Sequence, residues 1–162
     1  MLIAAAAVYG GGSYTALKRE QLNELNALCH TLRLMQDELE TRALPLPELA
    51  AQLDTRTENA GKALLSGLLR RLPELGSRDF QNIWEECVTE SVKHSEEAAR
   101  LLCTLGSFLG RYDVDSQSEA IRSCWETLEK LRTTAAEALP QTRRLGMGLA
   151  LTSGALIVIT LI

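Results

Sequence analysis

The chain is short of nearly everything that carries chemistry. Aromatic residues make up 4% of its 162 positions and only four prolines interrupt it, while Leu, Ala and Glu abound, so an all-α reading is favoured from the start. Positive charge is not in excess: the formal net charge is −4, which argues against a nucleic-acid surface with its clustered Lys and Arg. No Cys-x-x-Cys pair occurs. Cys29, Cys87, Cys103 and Cys124 lie far apart, the usage of a reducing compartment where Cys packs as a small apolar residue. Two disulfides are the alternative, disfavoured because the topology argued below places all four in the cytoplasm. His30 and His94 stand without a partner motif, and metal ligation wants paired Cys or His at short spacing, so no metal site is expected. Walker lysine motifs, nucleophile elbows and dinucleotide fingerprints are missing. The run from Asp113 to Gln117 resembles the start of a calcium loop, but Ser118 stands where glycine is needed and Cys124 where a bidentate Glu is needed. Glu85, Glu86 and Glu90 read as a charged helix face with no apolar pocket to raise a carboxylate pKa. No catalytic residue and no cofactor are expected, and the chain is not read as an enzyme.

What the chain does have is two uncharged apolar runs at its ends. Residues 145–162 carry no charge, and as a helix they rise about 27 Å, close to the roughly 30 Å hydrocarbon core of a bilayer. Arg143 and Arg144 stand just before them and should stay on the cytoplasmic side. A buried core helix is the alternative, but only Thr152, Ser153 and Thr160 offer it a polar face. Residues 1–17 form the second run, followed at once by Lys18 and Arg19. A cleavable signal peptide carries its basic residues before the apolar stretch, so this order suits an uncleaved anchor. An interfacial or cleaved segment is the alternative there. Gly146, Ala150 and Gly154 recur every four residues and offer a groove in which the two spans could pack.

Residues 18–144 read as a helical domain in the cytoplasm. From Lys18 to Arg42, Leu22, Leu25, Cys29, Leu32 and Leu39 keep helical steps, with Leu28 and Met35 widening the apolar stripe; Gln36 interrupts the seam, and Glu20, Glu24, Arg33, Asp37 and Glu40 form a solvated face. Pro45 and Pro47 mark a turn, with Pro47 suited to the first turn of a second helix. A third helix is expected from about Thr57 to Leu72, closed by Pro73 and Gly76, and a fourth from a Ser77 cap through Phe80, Trp84 and Val88. Ser95 opens the fifth, which Gly110 stops. Ser116 to Glu119 is a capping-box pattern opening the sixth, with Ile121, Cys124, Trp125, Leu128, Leu131 and Ala135 inward. Pro140 either kinks that helix or divides it. Six helices thus lie between the two spans.

The Pro45-to-Glu48 turn is followed by the Leu105-Gly106…Leu109-Gly110-x-x-Asp113 stretch with Gln117 after it, and then by Arg144-Leu145-Gly146 before the apolar end. This order of features resembles the stage III sporulation protein AB family of endospore-forming bacteria. Arg111-Tyr112 before the Asp, and a first span rich in Gly and Ala, depart from the pattern. The resemblance implies an antiparallel six-helix bundle like the cytoplasmic domain of the F-type platform protein of type II secretion systems, flanked by N- and C-terminal transmembrane helices. It further implies a mother-cell membrane protein facing the forespore, within a channel-like complex. Its partners would be an ATPase like stage III sporulation protein AA, the other stage III sporulation membrane proteins, membrane lipid and further copies of itself. A membrane-tethered adaptor that docks a soluble signalling partner is the alternative. The turn holding Gly106, Gly110, Asp113, Asp115 and Gln117 is the candidate partner contact; simple helix stopping and capping accounts for the same residues.

Overall fold

The computed structural model describes the backbone of residues 2–109 and 113–160, and the side chains of residues 15–109 and 113–138. Among the described residues there are six α-helices and no strand: α1 (Leu2–Arg42), α2 (Leu46–Asp54), α3 (Asn59–Arg71), α4 (Phe80–Ser91), α5 (Glu96–Gly106) and α6 (Val114–Thr160). A short 3-10 turn, Leu72–Glu74, follows α3.

Two long helices frame the bundle. In α1, Leu25, Leu28, Leu32, Met35 and Leu39 recur in steps of three and four and are all buried. In α6, Ile121, Cys124 and Leu128 are buried and Leu131 and Ala135 half-buried, in the same steps. Contacts between the two helices repeat every seven residues in opposite directions. The Ser118 hydroxyl donates to Glu40 at 2.8 Å, the Arg33 guanidinium lies 5.2 Å over the Trp125 ring, and Arg132 donates to Asn26 at 3.4 Å. That is antiparallel packing of coiled-coil type, with the apolar seam between the helices. Leu28 and Met35 widen the stripe as expected and carry the seam past Gln36, which is half-buried and donates to Glu40 at 2.8 Å. Residues expected on a solvated face of α1 are engaged as well: Arg33 covers Trp125, Glu40 accepts from Ser118, and Glu24 is buried.

The remaining helices fill one side of this pair. Glu24 bonds to the α4–α5 turn, while Ser118 places the start of α6 beside the far end of α1. Hence α5 climbs from the end where α1 enters the bundle to the far end, and α4 descends the opposite way. The α1–α2, α3–α4 and α5–α6 turns gather at the far end. At the centre, Trp84 is fully buried; its indole N–H donates to the Leu102 carbonyl at 2.6 Å, and Phe80 stacks on it at 6.1 Å. Close approach of α3 to α1 requires Gly61, since a β-carbon there would overlap the Thr31 hydroxyl and sit 3.2 Å from the Ala27 carbonyl.

Pro47 lies in the first turn of α2 as expected, being its second residue, while several other helix ends differ from expectation, each for a local reason. Helix α3 begins at Asn59, because the buried Thr57 hydroxyl turns back to the Leu53 carbonyl at 2.9 Å. Ser77 does not cap α4: its hydroxyl donates to the Glu74 carbonyl, and Asp79 occupies the capping position. Gly76, at φ +104°, makes the turn between them, a conformation that favours glycine. Ser95 does cap α5, accepting the Ala98 N–H at 3.3 Å. That helix ends at Gly106, four residues before Gly110, which lies outside the described residues. Pro140 falls within the continuous run of α6 and does not divide it.

Among the described residues no helix is long and apolar enough to cross a membrane. The two terminal runs, apart from residues 15–17, lie outside the described side chains, as do Arg143, Arg144, Gly146, Ala150 and Gly154.

Candidate partner interface

The α5–α6 turn is built by a cap one turn earlier than the Ser116–Glu119 pattern suggested. Asp113 accepts the Ser116 N–H at 3.2 Å and the Ser116 hydroxyl at 2.8 Å, and its carbonyl accepts the Gln117 N–H at 3.1 Å. A carboxylate here also suits the positive end of the helix dipole. The Ser116 hydroxyl and amide together hold its carboxyl below the usual aspartate range. The capping-box serine is therefore the receiver of the cap, not its source.

The other residues singled out in this stretch separate into surface and interior. Asp115 is exposed in the first turn of α6 and Gln117 is half-buried. Gly106 is buried: a β-carbon there would lie 2.9 Å from Trp84 Cγ and 3.0 Å from Nε1, so this glycine is the notch that admits the indole. Its place in the Leu-Gly pattern follows from packing. Sequence reasoning missed two apolar members of the same surface, Phe108 (40% exposed) and Val114 (37%). With Leu75 in the α3–α4 turn they are, among the described residues, the large exposed apolar side chains of the far end, whereas Leu17 is exposed at the opposite end. Only unexpected exposure marks them, which periodicity cannot register.

At the entry end of the bundle, Glu24 accepts the backbone N–H of Lys93 at 2.8 Å and of His94 at 3.1 Å. His94 Nε2 is 3.6 Å from Glu20. Lys18 donates to Gln21 at 3.1 Å and Arg19 is exposed. The acidic face of α4 is tied back by two arginines: Arg71 reaches Glu90 at 2.6 Å, and Arg78 binds both Glu74 and Glu86. An open groove of about 490 Å³ over this face is lined by Arg78, Asn82, Glu85 and Glu86, and another of about 430 Å³ by Asn23, His30, Arg56 and Asn59. Among the described residues no three His, Cys, Asp or Glu side chains are grouped to hold a metal ion.

All four cysteines are free. Burial pushes the Cys29 thiol up to about 12, helped by the Glu129 carboxylate, and burial pushes Cys124 to about 12 as well. Cys87 and Cys103 are raised by burial to a smaller degree. These are packing thiols, as their spacing suggested.

Comparison with known proteins bears on the whole chain. The family model described as stage III sporulation protein AB matches residues 1–162. A solved structure, stage III sporulation protein AB (SpoIIIAB), is similar with a TM-score of 0.64 at 21% identity, covering 75% of this chain and 97% of that one; it speaks for the fold. Among curated proteins none matches. Matched from end to end by that family's pattern, and folded as its solved member is, the chain belongs to the stage III sporulation protein AB family and has a sporulation-associated role.

Proposed function

We propose that the chain is a non-enzymatic platform component of a sporulation-specific, secretion-like channel complex between mother cell and forespore. Residues 1–17 and 145–162 span the mother-cell membrane, and the helical domain of residues 18–144 stands in the cytoplasm and docks a secretion-type ATPase. The observation that carries this is the seven-residue antiparallel register of α1 and α6. It brings α1 in and takes α6 out at the same end, so a single membrane suffices for both runs. The α5–α6 turn then stands at the opposite end, about 36 Å from Lys18 along α1, where a soluble partner has free access. Gly146, Ala150 and Gly154 pack the two spans; Gly146→Leu with Gly154→Leu would leave assembly and stability unchanged if they do not.

Two measurements test the proposal. Alkaline carbonate should leave the protein in sporulating membranes; release into the supernatant defeats the anchoring. For the partner, Asp115→Lys is the clean variant, because Asp115 is exposed in α6 while Asp113 holds the cap. It should keep full helicity and lose pull-down of the stage III sporulation protein AA-like ATPase. Retained binding removes this turn as the contact.

A further inference from the structure

The α4–α5 turn is the part of the α4–α5 hairpin nearest the end where α1 enters and α6 leaves. Its neighbours on α1 are Glu20, 3.6 Å from His94 Nε2, and Glu24, which accepts the two backbone N–H groups of Lys93 and His94. Along the helix axis these lie only about 3 and 9 Å from Lys18. Glu24 is 6% exposed and spends its carboxylate on the backbone, so it fixes where the turn sits without engaging the Lys93 side chain. Of the nearby acidic groups, Glu96 is bound to Arg100, Glu20 faces His94, and Glu97 is exposed in the first turn of α5. Lys93 is exposed, and among the described residues its ammonium has no partner.

We propose that Lys93 is a headgroup contact, seating the bundle on the phosphates of an anionic bilayer together with Lys18 and Arg19. This rests on the membrane anchoring argued above. Two adjacent helices leaving a membrane define a line, about which the domain can still tilt; a cation held off that line, on a different hairpin, removes the remaining freedom. The tilt matters because it sets the direction in which the far-end turns face a partner. The physics is ordinary. A lysine near an anionic surface strengthens attraction by roughly fivefold, and the field extends over a screening length of about 8 Å.

The chain's four lysines, Lys18, Lys62, Lys93 and Lys130, supply the reporters. Reductive methylation with isotope-labelled formaldehyde keeps their charge and gives each a methyl resonance. The full chain is placed in bilayer nanodiscs doped with a lipid carrying gadolinium on its headgroup. In phosphatidylglycerol-rich discs, the Lys18 and Lys93 signals should both broaden; in phosphatidylcholine discs or high salt, Lys93 should recover while Lys18 stays broad. A sharp Lys93 beside a broad Lys18 in anionic discs overturns the contact and leaves the anchoring intact. A Lys93 signal equally broad in neutral discs overturns the role of charge. If Lys18 is also sharp, the membrane anchoring itself has failed.

Discussion

Glu24 accepts the backbone N–H of Lys93 at 2.8 Å across 69 residues of sequence, and this bond joins the α4–α5 hairpin to α1. A buried carboxylate is expensive unless its oxygens are satisfied, and here both oxygens also meet the His94 N–H at 3.1 Å. Hydrogen bonds to charged groups contribute about 1.5–3 kcal/mol each, and truncation strands two amides. Glu24→Ala should therefore cost about 3 kcal/mol, read as a lowered thermal midpoint in detergent. Glu24→Gln, which keeps one acceptor, should cost clearly less. Equal midpoints for Glu24→Ala and wild type would show that the bond does not hold the hairpin.

Gly106 and Trp84 make a second coupled pair. Gly106→Ala forces a methyl against the fully buried indole, an overpacking that costs about 1–3 kcal/mol. With Trp84→Leu already in place, the added cost of Gly106→Ala should fall close to zero, because the clash has gone. A double-mutant cycle measures this, and purely additive losses would contradict the packing role.

The thiols predict a reactivity order and an alkaline limit. Cys103 is half-buried while Cys29, Cys87 and Cys124 are buried, so one thiol should react promptly with a disulfide reagent in the folded protein and four after denaturation. Cys29 and Cys124 have folded values near 12, above the ordinary thiol value of about 8.5. Unfolding releases protons from them at alkaline pH, so their contribution is complete below about pH 8.5 and is lost as pH rises toward 12. Stability of Cys29→Ala/Cys124→Ala should vary less over that window than wild type.

Asp113 predicts an acid effect at one helix end. Its carboxyl is held low by Ser116, so its stabilisation is present above about pH 4 and is lost as pH falls through the depressed folded value. Protection of the Ser116 amide against hydrogen exchange, taken relative to the intrinsic rate at each pH, should fall in acid and, in Asp113→Ala, should be low at every pH. Asp113→Asn, which retains an acceptor, should remain protected in acid.

The helical count, the apolar seam and the Ser95 cap were legible because each rests on short-range spacing within one element. Leu25, Leu28, Leu32, Met35 and Leu39 show the pattern, yet Cys29 and Leu22 allow an alternative stripe running through Gln36, and only the partner helix decides between them. Glu24 looks solvated in sequence because nothing local reveals that a turn 69 residues away brings two amide groups to it. Gly106 looks like part of a polar turn between helices, while its neighbour in space, Trp84, is 22 residues distant. The cap at Asp113 hides beside a serine pattern three residues later, since both sites carry suitable side chains.

The opposed heptads of α1 and α6 have a mechanical consequence. Because the antiparallel register puts the entry of α1 and the exit of α6 at one end, tension that draws those ends apart acts on a single layer of the seam at a time, starting beside Asn26 and Arg132. Parting proceeds like a zip, with each layer yielding before the next is loaded. A force along the common axis instead loads all the layers at once, so the same seam is soft to separation and stiff to thrust.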